Sequence, residues 1–224
     1  MEDLILKYRP KEMSEVWGNT LLKKLWKNAL PDKLPKSIIL YGNFGTGKTT
    51  IGKIMLKDIT TAYSGGKFLC DCPVEIDGAR CTFESLQQSI HYRASYAVHP
   101  HAYFIDEAHR VHPKVQEVFL KAIEEMEDIH FIFATTDMEE IDKGIISRSL
   151  VMNITNPKKE EIREKLNEIA EKEMIKILPE VIDYIIEISE YNPRNCMKCM
   201  NTIKMCKNDI SFKEAQDIFS TFKV

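Results

Sequence analysis

Apolar positions in this chain follow two different rhythms. The run Ser37-Ile38-Ile39-Leu40-Tyr41 is short, β-branched and apolar on both faces, the pattern of a strand buried inside a parallel sheet. Two more such runs are Tyr103-Phe104-Ile105 and His130 to Ala134. A helix-forming stretch follows the first strand and reaches to about Asp58. From Asn156-Pro157 onward the pattern changes. No further β-branched strand is expected there, and helical periodicity runs through Lys158 to Ile175, Pro179 to Ser189, Pro193 to Lys207 and Phe212 to Phe222. Prolines begin three of these segments or stand just before them, as suits the first turn of a helix. The predicted fold class is α/β, with a parallel sheet flanked by helices over residues 1–156 and a small all-helical domain over 157–224.

Composition narrows the class without changing that picture. With 31 Lys+Arg against 34 Asp+Glu the formal net charge is −3, and 44% of residues are hydrophobic, which reads as a soluble globular protein. At 224 residues the chain exceeds a typical single domain and can bury roughly 70% of its unfolded surface, so no staples are needed. Nine glycines and nine prolines exclude a collagen-like or low-complexity chain. The segment MEDLILKYRP lacks the basic flank and apolar run of a signal peptide, and no stretch approaches the ~20 apolar residues of a membrane span, so a cytoplasmic location and no membrane partner are expected. Six unevenly spaced cysteines suit a reducing compartment. The near-neutral charge argues against bulk nucleic-acid binding but leaves room for a local basic face.

The chemistry lies at the ends of the strands. Gly42-Asn43-Phe44-Gly45-Thr46-Gly47-Lys48-Thr49-Thr50 meets the P-loop spacing G-x-x-x-x-G-K-[ST] between a strand and a helix. The glycines let backbone N–H groups and the helix N-terminus face polyphosphate oxygens. Lys48 would reach the β- and γ-phosphates of ATP, and the Thr49 hydroxyl would coordinate Mg²⁺. The second strand ends in Asp106-Glu107-Ala108-His109. Asp106 is placed to hold Mg²⁺ through water, and Glu107 to orient and deprotonate an attacking water. The string DEAH also occurs in helicases, but no further helicase motif follows. The third strand ends in Thr135-Thr136-Asp137, where a hydroxyl, from either threonine, can report on the γ-phosphate. Arg148, in Ser147-Arg148-Ser149, is read as lying after the last sheet strand. In this order of motifs it is a candidate arginine finger for a neighbouring subunit's nucleotide.

P-loop, acidic pair, threonine and arginine in this order resemble the AAA+ ATPases, and within them the clamp-loader ATPase subunits, both the bacterial gamma/tau type and the replication factor C small subunits. Lys7-Tyr8-Arg9-Pro10 with Val16-Trp17-Gly18-Asn19 resembles the amino-terminal box that packs on the adenine. Val74 to Ala79 resembles the second strand, Phe133 to Asp137 the first sensor, and Ser147-Arg148-Ser149 the Ser-Arg-Cys motif with serine for cysteine. Pro193-Arg194-Asn195 matches the second sensor, whose arginine reaches the γ-phosphate. The resemblance implies an AAA+ sheet domain followed by a helical lid. It implies ATP and Mg²⁺ as ligands, and a homo- or hetero-oligomer with other AAA+ subunits. A sliding clamp or DNA polymerase and primer–template DNA are the implied partners, with Arg110 and Lys114 as candidate phosphate contacts.

Departures from the family's pattern matter too. The bacterial family holds zinc with four cysteines, whereas this segment has only Cys70 and Cys72, with Cys81 beyond the strand, so zinc is not expected. Cys196, Cys199 and Cys206 are read as apolar residues of a helix. His99, His101, His109 and His112 are read as loop or surface residues. No collar domain is expected after the lid. Oligomer contacts would then come from partners or from the ATPase and lid themselves, or the machinery serves another task. An ATP-gated adaptor or regulator of another effector, with no clamp loaded, is the competing function. A P-loop small-molecule kinase fits less well, because Glu107 with Arg148 favours water as acceptor.

Overall fold

The computed structural model describes residues 3–29, 33–63, 74–96, 101–127, 129–206 and 209–221. In chain order the elements are α1 (Leu4–Lys7), α2 (Thr20–Ala29), β1 (Ser37–Tyr41), α3 (Lys48–Tyr63), β2 (Val74–Asp77), α4 (Phe83–Tyr96), β3 (His101–Asp106), α5 (Pro113–Glu125), β4 (Ile129–Thr135), α6 (Lys143–Ser147) and β5 (Leu150–Asn153). Then come α7 (Lys159–Lys172), β6 (Lys176–Ile177), α8 (Pro179–Ile188), α9 (Pro193–Cys206), β7 (Asp209–Ile210) and α10 (Phe212–Thr221).

Five strands form one parallel sheet in the order β2-β3-β4-β1-β5. The three apolar runs become β1, β3 and β4 at its centre. Periodicity reveals neither edge strand: β2 falls in the stretch given by resemblance alone, and β5, given by neither, exposes Leu150 and Val151 and buries Met152, so it lacks the continuous apolar run of a central strand. Arg148 therefore precedes the last strand rather than following it.

Side chains alternate between the two faces of the sheet. Ile39, Tyr103, Ile105, Phe131 and Phe133 pack against Leu86 and Ile90 of α4 and Val115, Phe119 and Ile123 of α5. Phe119 sits edge-on to both Phe131 and Phe133, at 5.4 and 5.3 Å between ring centroids, a favourable aromatic geometry. On the other face α3 lies against β1, β3 and β4. It comes so near β3 that a Cβ on Gly52 would stand 2.1 Å from Cε2 of Phe104.

By contact density the chain separates into two compact units, Thr20–Phe44 with Lys48–Ile154, and Met1–Asn19 with Gly45–Gly47 and Thr155–Val224. In this division the amino-terminal segment groups with the helices. Leu4 of α1 is fully buried among Ile162, Leu166, Val181, Ile185 and Met200, and its N–H donates to Oδ1 of Asn201 at 2.9 Å. The Asn19 amide and the Thr155 backbone exchange two hydrogen bonds of 3.2 Å. Glu173, after α7, accepts from the Tyr8 hydroxyl at 2.6 Å and pairs with Lys204 at 2.6 Å and Lys7 at 2.7 Å. Lys204, then Lys7 and Tyr8, hold its carboxyl down at about 2. This unit also carries a two-residue parallel ladder, β6 with β7, too short to leave a periodic signal where helices alone are expected. No helix among the described residues is long and apolar enough to cross a membrane.

Candidate functional site

The register of the sheet brings four strand ends, those of β1, β2, β3 and β4, to one edge: Tyr41 pairs with Thr135, Ile105 with Phe133, and Asp77 with Asp106. This carboxyl edge is where parallel sheets bind ligands. The glycine-rich loop leaves β1 here. A Cβ on Gly42 would fall 2.2 Å from the carbonyl oxygen of Ile154, so only glycine lets the chain leave the strand at that point. Gly45 and Gly47 have φ of 77° and 101°, left-handed backbone that a side chain would strain. Helix α3 begins at Lys48, and its first N–H groups have no intrahelical acceptors. Lys48 is 8% exposed, and its Nζ donates to the carbonyls of Gly42 and Asn43 at 2.8 Å each. Within the loop Thr46 is buried, Asn43 and Phe44 are exposed, and Thr50 is half-buried. The hydroxyl of Thr49 donates to Oδ1 of Asp106 at 3.2 Å.

The acidic turn is tightly built. Asp106 Oδ1 also accepts from the N–H of Glu107 at 3.1 Å. Glu107 adopts left-handed backbone, φ 51° and ψ 45°, an uncommon state for a residue with a side chain. Gly78, just after β2, presses on this turn: a Cβ there would stand 2.4 Å from the Glu107 carbonyl oxygen. His109 bridges the turn to the tip of β4, with Nε2 3.3 Å from Glu107 Oε2 and Nδ1 3.3 Å from Thr135 Oγ1. The Thr135 hydroxyl is committed elsewhere as well, donating to the Asp137 carbonyl at 2.7 Å and accepting from the Asp137 N–H at 3.0 Å. Thr136 is half-buried, and its hydroxyl makes no hydrogen bond among the described residues. Of the two threonines it is the one with a hydroxyl to offer a ligand.

These donors fit a magnesium polyphosphate. A hydroxyl and a carboxylate oxygen 3.2 Å apart are the hard ligands that Mg²⁺ takes. A buried ammonium, glycine backbone and a helix N-terminus beside them suit phosphate oxygens. The residues brought together here are Gly42, Asn43, Lys48, Thr49, Asp106 and Glu107.

Within the sheet unit, the predicted residue Arg148 lies apart from this cluster. Arg148, after α6, pairs with Glu124 of α5 at 2.6 Å and donates to the Gly144 carbonyl at 3.1 Å. Its neighbour Ser149 meets Ser37, the first residue of β1, at 2.6 Å between hydroxyl oxygens. Arg148 is thus at the amino edge of the sheet, separated from the carboxyl edge by the length of β1, about 13 Å at ~3.3 Å per residue. Tyr8, Arg9, Pro10 and Val16 belong to the helical unit, with Tyr8 tied to Glu173 and Val16 buried. Arg194 is exposed near the start of α9. In that same unit Asn192 caps α9, accepting from the Arg194 N–H at 3.0 Å, and its side chain stands within 2.4 Å of where a Gly45 Cβ would be. Asn192 went unremarked in the sequence, where nothing but its adjacency to Pro193-Arg194-Asn195 marks it, and Gly78 entered only as part of the stretch Val74 to Ala79, with no role of its own.

His112 caps α5 through Nδ1, which accepts from the Lys114 N–H at 3.2 Å. His101 opens β3 rather than lying in a loop. Arg110 and Lys114 are exposed. Cys70, Cys72 and His99 lie outside the described residues, and among the described residues no cluster of three metal-ligating side chains occurs. Burial pushes the Cys81 thiol up to about 11 and that of Cys196 to about 12.

Comparison with known proteins adds three findings. A family model described as "ATPase family associated with various cellular activities (AAA)" matches residues 38–157. The DNA polymerase III subunit gamma/tau of Mycoplasma pneumoniae is 29% identical over 89% of this chain and 32% of its own, and the replication factor C small subunit of Thermoplasma volcanium is 25% identical over 95% of this chain and 67% of its own. The chain thus spans from about a third to two thirds of the length of these curated relatives. The RuvB Holliday junction branch migration motor of Thermotoga maritima superposes with a TM-score of 0.78 at 19% identity, over 96% of this chain and 72% of that one, and so shares the fold.

Proposed function

Since the chain belongs to the ATPase family associated with various cellular activities, we propose that it hydrolyses ATP to ADP and phosphate as one subunit of an oligomeric, DNA-associated complex of the clamp-loader type. The observation that carries this reading is the Thr49–Asp106 hydrogen bond of 3.2 Å. It joins the end of the phosphate-binding loop to the acidic strand at the carboxyl edge, where a nucleotide's metal would need both oxygens. Mg²⁺, when bound, supplies charge neutralisation between the phosphates. Lys48 compensates the charge of the outer phosphates, and Glu107 takes the proton of the water whose oxygen attacks the terminal phosphorus. Thr136 offers its hydroxyl to that phosphate or water. Arg194 serves the same subunit's nucleotide from the lid, and the box from Tyr8 to Val16 packs on the base.

Arg148 acts on a neighbouring subunit's ATP. Its place at the amino edge supports this, because the strand's own length keeps it from the loop of its own chain. The sliding clamp, the polymerase and primer–template DNA are the partners in this reading, with Arg110 and Lys114 toward the duplex. The cytoplasm is the location that goes with it.

Two substitutions test the reading. Lys48→Ala should weaken ATP binding, whereas Glu107→Gln should keep binding and lose hydrolysis. Equal loss of binding in both would refute the division of roles. Mixing Lys48→Ala with Arg148→Ala chains under assembling conditions should restore part of the activity, since some interfaces then pair an intact loop with an intact arginine. No recovery at any ratio, together with full activity in a demonstrated monomer, would refute the shared site.

A further inference from the structure

We infer that His109 is a positioning residue for Glu107, holding one carboxylate oxygen so that the other faces the attacking water, and tying that orientation to the tip of β4. The inference rests on the reading of Glu107 as the general base. A half-exposed glutamate has several rotamers of similar energy, and a base that wanders among them is seldom aligned. Here Glu107 Oε2 lies 3.3 Å from His109 Nε2, while Oε1 has no partner among the described residues. A carboxylate only accepts, so Nε2 carries the proton, and in the neutral ring Nδ1 is then an acceptor.

The ring is itself held. Its side chain is 18% exposed, and Nδ1 meets the hydroxyl of Thr135 at 3.3 Å. That hydroxyl has one hydrogen to share between Nδ1 and the Asp137 carbonyl, 2.7 Å away. Thr135 is fully buried and paired with Tyr41, the residue before the phosphate-binding loop. From the other side, Gly78 limits the backbone of Glu107. The Glu107 backbone at one end and Thr135 at the other are thus held against the sheet, and only the glutamate side chain needs a handle. Thr135 is followed by Thr136, the candidate phosphate sensor, so a shift of the β4 tip on phosphate binding reaches the base through the ring.

Two side-chain amides separate this role from a merely structural one. The amide nitrogen of Gln reaches about where Nε2 lies, and that of Asn only as far as Nδ1. His109→Ala should lower kcat at least tenfold in the assembled ATPase, with the Kd for ATP unchanged within twofold. His109→Gln should recover most of the rate and His109→Asn little of it, at matched thermal stability. In the nucleotide-free chain, Glu107→Gln should move the ring ¹⁵N resonances of His109 and leave those of His112 in place. Unmoved His109 resonances, an undiminished kcat in His109→Ala, or rescue by Asn equal to that by Gln would each overturn the inference. Wild-type hydrolysis by Glu107→Gln would instead remove the base reading on which it rests, whatever His109→Ala does.

Discussion

The contact between α3 and β3 makes Gly52→Ala a sharp test of how the phosphate-binding loop is held to the acidic strand. An alanine Cβ would fall 2.1, 2.6 and 2.7 Å from Cε2, Cδ2 and Cζ of Phe104, where carbon atoms prefer 3.5–4.0 Å. Phe104 is 1% exposed and central in a strand paired on both sides, so the ring has nowhere to swing and the helix must lift. Overpacking of this kind costs about 1–3 kcal/mol. Alanine returns up to about 1 kcal/mol through its better helix propensity. With the full return the expected net loss is about 0–2 kcal/mol, a fall in Tm of up to roughly 8 °C for a chain of this size.

The displacement also reaches the site. Thr49 is one helical turn before Gly52 on α3, and Asp106 is two residues beyond Phe104 on β3. Lifting the helix stretches the 3.2 Å Thr49–Asp106 bond. Thermal unfolding with and without ATP, and calorimetric titration of ATP with and without Mg²⁺, measure the two effects. The magnesium-dependent part of ATP affinity should fall most. Adding Phe104→Leu should recover stability in the Gly52→Ala background though it costs stability alone, a coupling of about 1 kcal/mol. Stabilisation by Gly52→Ala, as at an unobstructed helical glycine, would refute the close approach.

Three further outcomes are expected. The Arg148–Glu124 pair is partly exposed at both ends, so Glu124→Ala should change stability by no more than about 0.5 kcal/mol in chemical denaturation, whereas Arg148→Ala should cost ~10³-fold in hydrolysis by the assembled complex and far less in ATP binding. Glu173 titrates at about 2 in the fold against an ordinary 4.5. The unfolded chain then binds the extra proton first as pH falls, and the stability present above pH 4.5 is lost on the way down toward pH 2; Glu173→Gln should flatten Tm against pH in that window, and an unchanged profile would show that the carboxylate contributes nothing. Cys196 is fully buried with its thiol pushed up to about 12, while Cys206 is exposed, so a thiol-reactive chromophore at pH 8 should label Cys206 in the native chain and Cys196 only on unfolding.

Features written in contiguous residues were readable before any fold was known. The P-loop is one run from Gly42 to Thr49, and β1, β3 and β4 are continuous apolar runs because both of their faces are buried. Features that depend on a partner far along the chain were not. The allegiance of the first 19 residues is set by Leu4 meeting Asn201 and Tyr8 meeting Glu173, and no local pattern announces a contact across more than 160 positions. Gly52 and Gly78 look like ordinary glycines until Phe104 and the Glu107 carbonyl are seen against them. His109 was one of four histidines around the acidic strand, and only the tertiary distances to Glu107 and Thr135 distinguish it from His112, whose ring merely caps a helix.

Arg148 shows how a missed strand changes a mechanism. Read as a residue beyond the end of the sheet, it was assigned to a neighbouring subunit's nucleotide from the order of motifs and the family resemblance alone. The short edge strand β5, pairing Leu150 with Ile38, ties it to the beginning of β1, while the phosphate-binding loop follows the end of that same strand. Parallel pairing forces this opposition: a residue just before one strand must lie at the edge opposite to a loop just after its parallel neighbour. An arginine so placed stabilises charge on a γ-phosphate only when a second chain presents its own loop there. Strand direction thus keeps Arg148 from its own chain's loop whatever the partner is, so the part in hydrolysis proposed for it requires a second chain.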